Sequence, residues 1–387
     1  MLALMVSLLA MSIDSMLPAL GEIGDDLRPG NPNDVQYVVT MMLLGFAVGQ
    51  IVAGPLSDSY GRKPIIYGGY VLFIIGCVLS IVAQEFSTML VGRFLQGLGA
   101  AAPRIVSVAL VRDGYQGRAM ARIMSIIMAI FILVPSIAPA IGQGVMFVSN
   151  WRAIFGLLLI IAVVAFVWFA IRQPETLAPA HRRKFSFGAI AGGIREAAGY
   201  RALTGYTLAT GIIFGAFVGY LSSSQQIFQD AYLVGQWFVV YFGCASLSIG
   251  AASAFNARVV VKLGMKYMTW RALFGLTAAS GAFIPIVLLS RGLPPLWIFM
   301  TWLIVVFFFI GIIFGNFNAL AMEPVGHMAG LGAAIVGSVG TLISLPIGWA
   351  IGGAYNDTVT PLVSGFALSG GLCLAIMGWT ESGIKPR

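Results

Sequence analysis

The chain is 387 residues long, 59% hydrophobic and only 9% charged, with a mean hydropathy of +0.94. Soluble proteins carry roughly 25% charged residues, so the composition argues against a water-soluble enzyme. The net charge of +8 lies between apolar stretches, where the positive-inside rule places it, so no nucleic-acid partner is expected.

Two histidines and three cysteines leave little for a metal cluster or disulfide framework, and neither a metal nor a cofactor is expected. At roughly 20 residues per span, the chain has room for about twelve membrane helices. Apolar runs bounded by charges or turn residues predict spans near 2–20, 35–55, 64–83, 88–110, 121–145 and 151–171. A polar stretch follows, and further spans are predicted near 201–222, 234–256, 270–289, 296–318, 330–353 and 361–379. The fold class expected is an all-α polytopic membrane protein. Its organisation is a first six-helix bundle over 1–171, a central cytoplasmic loop over 172–200 and a second bundle over 201–387.

The opening run MLALMVSLLAMSIDSML does not read as a signal peptide, because it lacks a basic start and carries Asp14 followed by Pro18. A span that begins at Met1 leaves no tail before it, which fits a natural N-terminus that is missing or assigned elsewhere. Of the 22 Lys and Arg residues, Arg28, Arg152 and Arg291 fall at odd-numbered junctions, and Arg93 and Arg104 fall inside a span. The rest lie at even-numbered junctions, the middle loop and the tail, so both termini are expected in the cytoplasm. Trp151, Trp237, Trp270 and Trp297 stand at span starts, as interfacial anchors do.

The segment SDSYGRKPIIYGGYVLF after the second span resembles VKLGMKYMTWRALFGL after the eighth, aligning Gly61 with Gly264 and Lys63 with Lys266. The separation is about half the chain, as a duplicated six-helix unit gives. Asp58 aligns with Val261, so an acid is kept on one side only.

Charges inside spans are costly and therefore informative. Asp14 is the one acid deep in a predicted span; it reads either as a titrating, substrate-contacting group or as part of a structural ion pair. Arg93 and Arg104 share the fourth span on about the same helical face, roughly 16 Å apart along the axis. Counting rise along the two helices places Asp14 and Arg93 at similar depth. Tyr37, Arg104, Tyr220, Gln225, Trp302, Asn316 and Asn318 are the candidates for lining a mixed polar and apolar cavity, although interhelical hydrogen bonding is the commoner fate of such neutral groups.

The motif GPLSDSYGRKP resembles the loop signature between the second and third spans of the major facilitator superfamily. The resemblance implies two six-helix bundles, a central cavity and alternating access. It also gives Asp58, Gly61, Arg62 and Lys63 a gating role, with Asp58 latching the cytoplasmic side to the other bundle and to a neighbouring basic residue. Arg112 and Arg118 are the candidates for that residue. VGRFLQGLGAA resembles the fourth-span signature, with Arg93 at the arginine the family links to proton coupling. VPSIAPAIGQ resembles the fifth-span antiporter signature through Pro135, Pro139 and Gly142, departing from it at Ala138 and Gln143. SIDSMLPAL, the pair Arg112–Asp113 and AMEPVGHMAG are similar to the Bcr/CflA branch of drug:proton antiporters.

The expected function is proton-coupled efflux of small amphipathic compounds across a bacterial inner membrane, by a monomer whose partners are its substrate, protons and lipid. The same-fold alternative is transport of one specific metabolite; a non-transporting membrane sensor is the alternative of another class. Proton coupling is assigned to Asp14 and Arg93, with Glu323 as the acid to suspect next. His181 and His327 lie in loops without a catalytic spacing, so no enzyme is expected, and the absence of a GxxxxGK[ST] loop disfavours ATP-driven transport.

Overall fold

The computed structural model describes residues 1–182 and 186–382. Its helices are α1 (Leu2–Asp14), α2 (Leu20–Leu27), α3 (Tyr37–Tyr60), α4 (Arg62–Val82), α5 (Phe86–Gly114), α6 (Gly117–Val148) and α7 (Trp151–Arg172). They continue with α8 (Phe187–Ala198), α9 (Arg201–Gln225), α10 (Phe238–Leu263), α11 (Met265–Leu289), α12 (Leu296–Met322), α13 (Ala329–Gly353) and α14 (Thr360–Ser382). Among the described residues, 11 helical segments are long and apolar enough to cross a membrane. The span predicted over 121–145 falls within α6. The chain divides into two compact units, Met1–Ala191 and Gly192–Arg387. The boundary falls inside α8, a helix in the stretch the sequence reads as loop.

In unit 1, α5 is the central rod because glycines line two of its sides. A Cβ on Gly45 or Gly97 would land on backbone of the opposing helix, so α3 and α5 touch main chain to main chain. On the other side Gly76 would meet the Gly92 carbonyl at 2.5 Å, and Gly69 the Gly99 carbonyl at 2.7 Å, which brings α4 equally close. Where lipid tails are as apolar as the side chains, such close approach supplies the packing that water would otherwise drive. α1 ends at Asp14, and the Leu17–Ala19 turn of 3-10 helix separates it from α2. Pro18 has no N–H for the Asp14 carbonyl four residues back, and so the helix breaks there.

Gly61 joins α3 to α4 at φ +107°, and Gly264 joins α10 to α11 at φ +84°. Both backbones occupy the positive-φ region that glycine enters without steric cost, so the repeat read from sequence corresponds to one tight turn used twice. Val261, aligned with Asp58, is 85% exposed.

Unit 2 has a toothed seam. Gly211, Gly215 and Gly219 of α9 face Ile343, Ile347 and Ile351 of α13, one glycine per isoleucine. A Cβ on Gly215 would stand 2.6 Å from the Ile347 Cβ. Gly215→Val should therefore force the helices apart and cost about 1–3 kcal/mol, read as a lowered thermal midpoint of detergent-solubilised protein. Gly281→Ala, with nothing within 4 Å of its Cβ, should keep or slightly raise the midpoint, because alanine favours a helix interior over glycine.

Candidate functional site

The polar centre of unit 1 is built around Arg93, which is 0% exposed. Its Nη2 donates to the Ser12 carbonyl of α1 at 3.0 Å, Nε to the Val38 carbonyl of α3 at 3.0 Å, and Nη1 to Gln96 Oε1 at 2.6 Å. Gln96 passes the connection to α4 by donating to Ser80 Oγ at 3.0 Å, and Ser12 Oγ donates to Gln96 Oε1 at 3.4 Å. The Phe155 ring of α7 lies 5.6 Å from the guanidinium. Arg93 and Gln96 of α5 together therefore tie α1, α3 and α4 to α5, and Arg93 also touches α7.

Asp14 stands two residues beyond the carbonyl that Arg93 holds and is 4% exposed. Depth alone suggested an Asp14–Arg93 pair; instead Arg93 meets α1 through the Ser12 main chain. The guanidinium, a fork of N–H donors, is filled by two carbonyls and an amide from three helices. Next to Asp14, α1 and α6 touch so closely that a Cβ on Gly142 would land on the Ser15 carbonyl. Pro135 and Pro139 both lie inside α6, which runs on through them. One helical turn before Asp14, Met11 joins Ile130, Leu133, Val134, Ile137, Ala138 and Ile141 around an apolar groove of about 210 Å³.

At the opposite end of α5 a second network forms at the GPLSDSYGRKP loop. Arg62 donates to Asp58 Oδ1 at 2.5 Å, to Asp113 Oδ2 at 3.0 Å and to Ser57 Oγ at 2.9 Å. Asp58 thus finds its basic partner one turn along its own sequence. Arg112, expected in that role, is exposed, and the side chain of Arg118 lies outside the described residues. Glu175 closes the network: its carboxylate accepts from the N–H groups of Arg62 and Lys63, both at 3.0 Å, at the N-terminus of α4.

The family model described as Major Facilitator Superfamily matches residues 2–348. The chain belongs to the major facilitator superfamily. It is 30% identical over 390 residues to a bicyclomycin resistance protein homolog of Haemophilus influenzae, covering 97% of this chain and 94% of that one. It is 29% identical to the uncharacterized MFS-type transporter YdgK of Bacillus subtilis, over 92% and 89% of the two chains. Over 178 residues, 46% of this chain and 45% of the other, it is 34% identical to the multidrug resistance protein MdtL of Shigella dysenteriae. The E. coli xylose transporter XylE, in a partially occluded inward-open conformation, shares the fold with a TM-score of 0.75 at 13% identity, covering 98% of this chain and 96% of that one.

Several residues of this transporter that the sequence offered as candidates for a mixed polar and apolar cavity are packed within unit 2. Tyr220 is 0% exposed and stacks on Phe242, with its ring 4.8 Å from that of Phe307. Trp302 lies parallel to Phe283 at 5.3 Å. Asn316 exchanges two hydrogen bonds with Asn256, at 2.9 and 3.2 Å, and Gln225 donates to Gln229 and Asp230 as α9 widens into a π-turn over Gln226–Ala231. The two asparagine amides thus satisfy each other between α10 and α12, whereas Gln225 bonds along its own chain and Trp302 Nε1 has no hydrogen-bond partner among the described residues. Asn318 is exposed, whereas Tyr37 and Arg104 are partly buried. Trp151 and Trp270, expected as interfacial anchors, donate to Asp26 at 3.1 Å and to Glu381 at 2.9 Å.

Glu175 was not anticipated; the sequence signal was an acid one residue after Pro174, just past the end of α7. Burial opposes its ionisation, but the N–H groups of Leu177, Lys63, Arg62 and Thr176 outweigh that and hold its carboxyl below the usual value. A depressed carboxyl contributes stability above its unfolded value of about 4.3 and loses it as pH falls toward the folded value. Glu175→Gln should lower the thermal midpoint by a few degrees at pH 7, with the gap to wild type narrowing below about pH 4. A gap that stays constant with pH would assign the loss to packing.

Proposed function

We propose that this major facilitator transporter exports small amphipathic compounds in exchange for protons, working as a monomer in a bacterial cytoplasmic membrane with both termini inside. The observation that carries the reading is Asp14, a 4% exposed carboxyl at the break in α1, one turn from the mouth-lining Met11 of an apolar groove. A carboxylate buried in a span is costly unless it is neutralised or paired. Proton and substrate can therefore displace each other there, while the groove accepts an apolar body. The relatives named for bicyclomycin and multidrug resistance support the same class of cargo. In proteoliposomes, accumulation of a panel of amphipathic dyes should rise when a pH gradient is imposed and stop when it is collapsed. Gradient-independent equilibration of every dye would overturn the reading.

A further inference from the structure

Where α9 and α12 of unit 2 meet, two rows of side chains change character within one helical turn. Phe214 and Phe217 of α9 lie 6.2 Å apart with their planes 24° from parallel. Phe314 of α12 stands edge-on to both, at 5.9 and 6.1 Å. All three rings are only partly buried. Behind them Phe217 rests on Phe307 at 5.6 Å, and Phe307 is 0% exposed. The trio is therefore the open rim of a packed aromatic cluster. The two helices run antiparallel, since Tyr206 meets Phe317 while Tyr220 meets Phe307. One turn before Phe214 on α9 is Thr210, and one turn after Phe314 on α12 is Asn318. Both polar residues thus lie on the same side of the rings, about 6 Å beyond them.

This face is not made for lipid tails. Asn318 is exposed, and a Cβ on the neighbouring Gly315 would meet nothing within 4 Å. The residue lies inside the apolar span Leu296–Val325, where an amide turned toward hydrocarbon is costly. The glycine seam does not cover it either, because Gly211 and Gly215 put α13 about 60–100° round α9 from Phe214. Thr210 Oγ1 donates to the Tyr206 carbonyl at 2.7 Å, which leaves its oxygen able to accept a second hydrogen bond. Ring walls that end in an amide and a hydroxyl fit a molecule divided in the same way. Edge and offset contacts favour an aromatic body over a saturated one of similar outline, and the polar pair both donates and accepts.

We propose that Phe214, Phe217 and Phe314 form a subsite for the aromatic body of the exported compound, with Asn318 and Thr210 taking its hydrogen-bonding head. The inference rests on the exporter reading and narrows its cargo from amphipathic compounds in general to flat aromatic ones with a neutral polar substituent. These are specificity residues, separate from the group that exchanges protons.

The test uses biphenyl-4-carboxamide, its fully saturated counterpart bicyclohexyl-4-carboxamide, and plain biphenyl, with the full chain. Binding is read by equilibrium dialysis in detergent against empty micelles, and transport from proteoliposomes under a pH gradient. Each aromatic contact corresponds to about two- to tenfold in affinity, so wild type should bind the biphenyl amide at least about fivefold better than the saturated amide. Phe214→Leu and Phe314→Leu should each cut that preference at least about threefold by weakening the aromatic amide alone, whereas Phe214→Tyr should keep it. Asn318→Leu should weaken both amides at least about threefold and leave plain biphenyl unchanged. Equal binding of the two amides by wild type would mark the face as a surface for lipid tails and overturn the proposal, whether or not a leucine variant folds. Equal losses of both amides in folded leucine variants would overturn it too. A wild-type preference for the aromatic amide without any gradient-driven movement would instead overturn the exporter reading and leave the subsite standing.

Discussion

Asp14→Asn should reduce pH-gradient-driven accumulation by at least about a hundredfold while leaving the protein folded and inserted. The substitution keeps size and hydrogen-bonding shape but removes the proton site. Asp14 accepts no ion pair among the described residues that would collapse with it, so stability should change by no more than about 1–2 kcal/mol. Substrate exchange without a gradient should survive, because that half-reaction needs binding and reorientation but no proton release. Transport with and without the gradient, measured beside a thermal melt, separates these effects. Full accumulation by the Asn variant would move the coupling to another acid. Glu323, exposed at the start of the Glu323–Met328 turn after α12, is the one to test.

Arg93→Ala should be among the most destabilising single changes in unit 1, costing about 3–5 kcal/mol. It leaves the Ser12 and Val38 carbonyls and Gln96 Oε1 without the donor they share, and a buried acceptor left unsatisfied costs about 1–3 kcal/mol. Arg93→Lys preserves the charge but replaces a planar fork with a single ammonium, which cannot serve acceptors on three helices at once. Both variants should therefore lose most of the melting stability and most of the transport, with Lys only marginally better. A Lys variant that keeps near-normal coupling would show that the charge beside Asp14, not the hydrogen-bond geometry, is what matters.

The span pattern was legible because each helix carries its own apolar run, and the Gly61 and Gly264 turns were legible because a positive φ demands a recognisable residue. Asp14 and Arg93 could be singled out because charge in a span is rare. Their relation could not, since counting rise along two helices gives depth but not which atom of α1 faces α5. The Asn316–Asn256 exchange joins residues 60 apart in sequence, and nothing in either local stretch marks the partner. Glu175 joins Arg62 across 113 residues for the same reason. The Asp58–Arg62 pair sits at i,i+4 spacing and was readable locally; attention to the family's latch led to Arg112 and Arg118 instead.

The glycine–isoleucine seam between α9 and α13 behaves like a rack and pinion with its teeth meshed. Each tooth spans four residues, so sliding one helix along the other requires a jump of about 6 Å, with every isoleucine first riding over backbone. Intermediate registers place branched carbons against main chain and have no resting position. Whatever motion carries cargo across the bilayer must therefore take these two helices along as a single piece. Substitutions that enlarge a glycine on α9 should be tolerated only when the isoleucine opposite is trimmed in compensation.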